Sequence, residues 1–264
     1  MIFFINYLKD GLKFFKGFFS LVTLIFSELF KRPFYYQLMI KNMYDFGYRS
    51  LFIVTAFAVS TGYVVTLHIG LSLEKYGAKL YVSKIMIISL FAEISTVLIV
   101  FILAGKIGSG ITSEVGSMKL TEQFDAFKAL GISPVKRVII PKVLACLIII
   151  PILCIISSMI SLLVSAYIGK LYLQLDYIDF LARALRTPKL GFVIFGFFKT
   201  MVFAFFIAIT SCYYGLNVEK GSYEIGRATM RAIVVSFMLI ICGDFVLTGF
   251  YYSFIHFGVE NVRN

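Results

Sequence analysis

The chain alternates long apolar runs with short polar intervals. Five runs are long enough to cross a bilayer as helices: residues 51–72, 85–105, 143–169, 190–213 and 232–254. The third contains Pro151, which a membrane helix tolerates where its neighbours re-satisfy the freed backbone. Residues 12–29 differ from these runs. Leu12, Phe15, Phe18, Phe19, Val22, Ile25, Phe26 and Leu29 share one helical stripe, and Lys13, Lys16, Ser20, Thr23 and Ser27 lie mostly elsewhere. A basic, Phe-rich amphipathic helix of this kind lies in the membrane interface, the other reading being a first true span. Lys31, Arg32 and Pro33 break it, and a Tyr-rich polar elbow continues to Arg49.

The longest polar interval, residues 104–142, separates the second run from the third. Val115, Met118, Phe124, Phe127 and Leu130 recur there at helical spacing with one wider step, which predicts a short amphipathic helix. Glu122 and Asp125 lie towards its start and Lys128 near its end, in keeping with the helix dipole. Gly131 is placed to cap it, and Pro134 follows. Such a helix is either a docking element that passes force from a soluble partner into the membrane or a solvated loop helix. Residues 170–189 and 215–231 read as polar loops.

Composition fixes the class. The chain is 60% hydrophobic and 15% charged, with a mean hydropathy of +0.92. A soluble domain of this size cannot hide that much apolar surface. The sequence therefore predicts an all-α polytopic membrane protein with an N-terminal interfacial helix, five transmembrane helices and a cytoplasmic helix between the second and third spans. It reads as a single domain over residues 1–264, with the interfacial helix and elbow in 1–49 and the coupling segment in 106–142. The net charge of +11 is scattered between apolar spans, so it points to lipid headgroups rather than nucleic acid. Lys and Arg on the side of the amino terminus and the 104–142 interval outnumber those on the other by about two to one, which predicts that side to be cytoplasmic and the carboxy terminus to be outside. Cys146, Cys154, Cys212 and Cys242 lie in apolar runs without a C-x-x-C pair and read as fillers, with no metal expected. Lys9, Lys13 and Lys16 follow the first apolar residues and no A-x-A site appears, so no cleavable signal peptide is expected. The chain lacks G-x-x-x-x-G-K-[ST] and any Ser/His/Asp constellation, so it is not expected to be an enzyme, and any ATP and Mg would be used by another subunit.

Three charges lie inside spans at matching depths: Glu93, Lys199 and Asp244. Each would cost about 2.5 to 3.5 kcal/mol at the bilayer centre on insertion scales. Together they predict a buried cluster centred on Lys199, read either as a polar switch or proton relay, or as a structural lock between helices. Ser157, Ser161, Ser165 and Gly169 recur every fourth residue in the third span, a pattern that lets helices approach closely. His68 near the outer end of the first span reads as an interfacial polar residue.

The stretch AGKIGSGITSEVGSMKLTEQFDAFKALGISPVKRVIIPKVLA resembles the signature of the MlaE/YrbE permeases, the membrane subunits of MCE-type ABC lipid transporters. Residues 224–248, EIGRATMRAIVVSFMLIICGDFVLT, resemble the family's carboxy-terminal signature, and Gly62 with Tyr76-Gly77-Ala78 gives a weaker third match. The resemblance implies a homodimer, a cytoplasmic ABC ATPase, an MCE-domain hexamer on the periplasmic side, and transport of phospholipid between the two membranes of a diderm envelope or in the chloroplast envelope, with this chain expected in the inner membrane of a diderm bacterium. It places Gly105, Glu114, Gly116, Met118, Glu122, Gln123, Gly131, Pro134 and Pro141 on the coupling motif. Glu114, Met118, Glu122, Gln123, Asp125 and Phe127 are thus the expected ATPase-coupling residues, and Glu93, Lys199 and Asp244 match intramembrane polar positions. Two copies would enclose an outward-facing apolar cavity between the first, second and fifth spans, with Tyr63, Leu67, His68, Leu71 and Ile94 as candidate lipid-facing residues. The chain departs from the family at Ala92-Glu93-Ile94-Ser95-Thr96, where Arg-Glu-Leu-Gly-Pro is usual, and at His68, where glutamine is usual. A competing expectation is a proton-coupled secondary transporter in which Glu93 and Asp244 carry the proton. A structural membrane scaffold is the third.

Overall fold

The computed structural model describes residues 2–31, 34–186, 190–219 and 221–263. Arg32 and Pro33 of the expected break, Lys189 and Lys220 of the charge count, and the side chains of Lys9 and Leu12 lie outside the described residues. Every described element is helical. Helix α1 is Ile2–Leu29 and α2 is Tyr36–Glu74. A short 3-10 turn, Lys79–Tyr81, leads into α3 (Val82–Ser89) and α4 (Ser95–Leu103), joined through a π turn at Leu90–Ile94. A second π turn, Ala104–Gly108, leads into α5 (Ser109–Leu120), followed by α6 (Gln123–Ala129). A third, Val135–Ile139, opens α7 (Ile140–Leu173), and α8 (Tyr177–Arg186), α9 (Leu190–Leu216) and α10 (Gly221–Arg263) complete the chain. Among the described residues, five helical runs are long and apolar enough to cross a membrane: Tyr36–Glu74, Lys79–Leu120, Val135–Leu173, Gly191–Leu216 and Gly221–Ser253. This is a multi-pass, all-α membrane protein.

The helices extend past the apolar runs. The elbow residues from Tyr36 onward are the start of α2, because no proline interrupts them. The interval expected to be a polar loop after Lys170 contains α8. Asp176 Oδ2 accepts the backbone N–H groups of Ile178 and Asp179, both at 3.2 Å, and so caps that helix. Phe180 and Ala184 fall on its buried face. Pro151 lies inside α7 without ending it.

Cα packing gathers the chain into two compact units. The first comprises Met1–Phe46, Ala104–Ile148 and Phe205–Met238; the second comprises Gly47–Leu103, Ile149–Ala204 and Leu239–Asn264.

In the second unit the α2–α7 seam follows from small residues. Along α2, Ser50, Val54, Ala58, Gly62, Thr66 and Gly70 are buried, one per turn. Ser161 Oγ donates to the Ala58 carbonyl at 2.8 Å, and Ser165 Oγ to the carbonyls of Ser161 at 2.7 Å and Gly62 at 3.4 Å. A Cβ at Gly62 would lie 2.5 Å from the Ser161 carbonyl oxygen, so only glycine fits. Lipid tails are as apolar as leucine, so close packing and hydrogen bonds, rather than hydrophobic expulsion, hold such a seam. Val82, Met86 and Leu90 pack with Leu162, Ala166 and Leu173 of α7, and Phe180 and Ala184 of α8 complete that apolar cluster.

In the first unit α1 buries Phe14, Phe18, Leu21 and Ile25. Phe14 meets the rings of Tyr213 and Tyr214 at 5.2 and 5.7 Å, and Phe18 meets Phe205 at 6.4 Å. Of the expected stripe, among the residues whose side chains are described, Phe18 and Ile25 are buried and Phe15, Phe19 and Phe26 are exposed. Helix α1 carries two apolar faces, one packed and one exposed, and hydrophobicity alone does not tell them apart.

Candidate functional site

Two constellations stand out, one in each unit. In the second unit the π turn Leu90–Ile94 carries Ala92 and Glu93 towards α9. Helix α9 comes close here because Gly196 has no side chain: a Cβ there would lie 2.5 Å from the Phe91 carbonyl oxygen. Lys199, fully buried, is surrounded by Glu93 Oε2 at 2.8 Å, Asp244 Oδ1 at 2.5 Å, Thr248 Oγ1 at 2.9 Å and the Ala92 carbonyl at 3.4 Å. An ammonium has three N–H donors, and here four acceptors crowd it. Asp244 Oδ1 is the closest of the four and sets a second carboxylate against the ammonium. Thr248 accepts from Lys199 and donates to Glu93 Oε1 at 3.2 Å, joining α10 to the π turn. The hydroxyl of Thr96 donates to the carbonyls of Ala92 and Glu93, both at 3.0 Å. Glu93 and Asp244 keep 38% and 26% of their side chains accessible, so the cluster is buried at its cation and open at its carboxylates.

In the first unit the 104–142 interval folds as two helices rather than one. The chain turns between α5 and α6, and Glu122 holds the left-handed conformation at φ 56°. The wide step from Met118 to Phe124 in the apolar pattern falls at this turn. Helix α6 ends in a Schellman arrangement: Gly131, at φ +70°, donates to the Lys128 carbonyl at 2.9 Å and Ile132 to the Phe127 carbonyl at 2.9 Å. Glu122, Gln123 and Asp125 are exposed, and Met118 and Phe127 are half-buried. Phe127 lies beneath the Arg137 guanidinium at 5.2 Å, and the same guanidinium is 5.4 Å from the Tyr35 ring. Ser133 donates to the Glu28 carboxylate, tying this return to the end of α1. Asp125 pairs with Lys128 at 2.9 Å, and that hydrogen bond, reinforced by the charges of Lys128 and Lys119, holds its carboxyl below the usual range. Glu114 turns instead to Lys142, at 2.6 Å.

The sequence matches the family described as Permease MlaE over residues 39–250. The chain belongs to the MlaE permease family. A probable ABC transporter permease of Rickettsia typhi is 32% identical over 233 residues, covering 88% of this chain and 90% of that one. A probable ABC transporter permease of Synechocystis is 30% identical over 209 residues, covering 79% and 80%. The intermembrane phospholipid transport system permease MlaE of Haemophilus influenzae is 26% identical over 244 residues, covering 91% and 94%.

In this MlaE-family chain the candidate lipid-facing residues fall on two elements. Tyr63, His68 and Leu71 are exposed on α2 and Leu67 is half-buried there, while Ile94 is half-buried in the π turn against the apolar cluster of the second unit. Sequence reasoning missed Thr248, Arg137 and Lys142. Thr248 follows Asp244 by one helical turn, which was the available signal; Arg137 and Lys142 looked like ordinary members of a basic interval. Of the four cysteines, Cys146, Cys154 and Cys212 are buried and Cys242 is exposed.

Proposed function

We propose that this permease is the membrane subunit of an ABC transporter that moves phospholipid between the inner and outer membranes of a diderm envelope. The observation that carries this reading is the match, along nearly the whole of both chains, to a permease named for intermembrane phospholipid transport. ATP with Mg is hydrolysed by a separate cytoplasmic subunit that docks on α6 and the turn before it. The support there is physical: an exposed polar helix between two spans, braced from behind by Arg137 between two rings, can take a load without bending. A second copy of the chain covers α10, whose apolar span leaves Ile241, Phe245 and Val246 exposed. An MCE-domain hexamer receives lipid on the periplasmic side, the amino terminus and α6 face the cytoplasm, and the carboxy terminus is periplasmic. Tyr63, Leu67, His68, Leu71 and Ile94 line the lipid path.

The test is ATP-driven transfer of a labelled phospholipid from vesicles holding the purified complex. Changing Glu122 and Phe127 together to alanine is expected to abolish co-purification of the ATPase. Intact association in that variant would end the coupling role. Two carboxylates around one ammonium favour a second reading, proton-coupled transport through Glu93 and Asp244. Transfer that follows a pH gradient without nucleotide would select it.

A further inference from the structure

Glu114 belongs to the motif expected to touch the ATPase, yet its carboxylate is committed elsewhere. Its partner, Lys142 in the first turn of α7, has a side chain only 3% exposed, while that of Glu114 is 56% exposed. Two further groups meet the Lys142 ammonium more weakly: Asn42 Oδ1 at 3.5 Å and the Phe46 ring at 6.0 Å, both on α2. The opposite side of α5 is already fixed to α9. Thr112 Oγ1 donates to the Ser211 carbonyl at 3.1 Å, and Gly215 lets Val115 approach so closely that a Cβ there would lie 2.8 Å from it. Helix α5 is therefore gripped on two sides, and Glu114–Lys142 is the ionic grip.

We propose that Glu114 is a positioning residue: it supplies the charge that lets Lys142 stay buried, and so fixes α5 against α7 and the first turns of α2, with no contact to the ATPase. The pair is asymmetric. Losing Glu114 strands an ammonium out of water, whereas losing Lys142 leaves a carboxylate that water already reaches.

The experiment compares E114Q, K142M and the double variant in the full-length permease, first by thermal unfolding in lipid nanodiscs. E114Q is expected to lower the Tm by roughly 5–10 °C, K142M by less than about 2 °C, and the double variant to return to within about 2 °C of the native chain. If E114Q does not fold at all, recovery of folding by K142M in the same chain gives the same answer. A K142M variant as damaged as E114Q, or a double variant no better than E114Q, overturns the proposal. The second readout is co-purification with the ATPase and ATP-driven lipid transfer, and only this readout rests on the ABC reading above. Recovery of both in the double variant supports positioning. A double variant that regains its Tm but not the ATPase makes Glu114 a partner contact and overturns it. Were the native chain to show no nucleotide-driven transfer, the ABC reading would fail while the Tm series still decided the role of Glu114.

Discussion

Two buried lysines solve the same problem differently. Lys199 is fully enclosed and has acceptors to spare: two carboxylates, a hydroxyl and a carbonyl. Lys142 is almost as buried and leans on one carboxylate that is itself half in water. A desolvated ammonium needs charge nearby more than it needs many ligands. The Lys199 site is thus over-supplied with negative charge and tolerant of losing one acceptor, while the Lys142 site draws, among the described ion pairs, on Glu114. Over-supply suits a site meant to change its contacts; single supply suits a fixed joint.

The comparison can be broken most forcefully at Lys199. Lys199→Met leaves Glu93 and Asp244 facing each other without a cation, and removal of one partner from a buried pair costs about 3–5 kcal/mol. Thermal unfolding should show it, and lipid transfer should fall by more than about ten-fold; an unchanged Tm would mean the carboxylates are solvated well enough to need no cation. Glu93→Gln should cost less, about 1–2 kcal/mol, because Asp244 and Thr248 remain. A loss equal to that of E114Q would erase the distinction between the two sites. Thr248→Val removes the hydroxyl that bridges Lys199 and Glu93 and should cost about 1 kcal/mol, read as a small Tm shift with unchanged ATPase association.

The exposed pair Asp125–Lys128 is the control at the other extreme. Its hydrogen bond lowers the Asp125 pKa, so its contribution is present above the unfolded value of that carboxyl and is lost as pH falls through the lower folded value. Asp125→Asn should leave the Tm unchanged within error. A carboxyl NMR titration should show the Asp125 midpoint rising when Lys128 is changed to Gln, and an unmoved midpoint would assign the shift to another cause.

Much of this was legible in the sequence, for reasons that differ from element to element. Apolar run length revealed the five spans, because a bilayer imposes one length on every helix that crosses it. The depth of Glu93, Lys199 and Asp244 could be counted for the same reason. The buried face of α1 could not be read, since protein and lipid both accept Phe14 and Phe15. The turn at Glu122 left a gap in the apolar pattern but no glycine to mark it. Helix α8 carried a usable signal, Asp176 ahead of Tyr177, Phe180, Leu181 and Ala184 at helical spacing, hidden by its charge content. A threonine in a span, such as Thr248, gives little away, because its hydroxyl most often bonds its own helix.

The serine seam of α7 bears on how this permease tolerates change over time. Ser161 and Ser165 donate to carbonyl oxygens of α2, not to side chains. The facing positions therefore share no chemical vocabulary that paired substitutions could preserve. Ala58 and Gly62 answer only to size, while the hydroxyls answer to a backbone every sequence possesses. Covariation between the two rows should accordingly be faint, even though they touch.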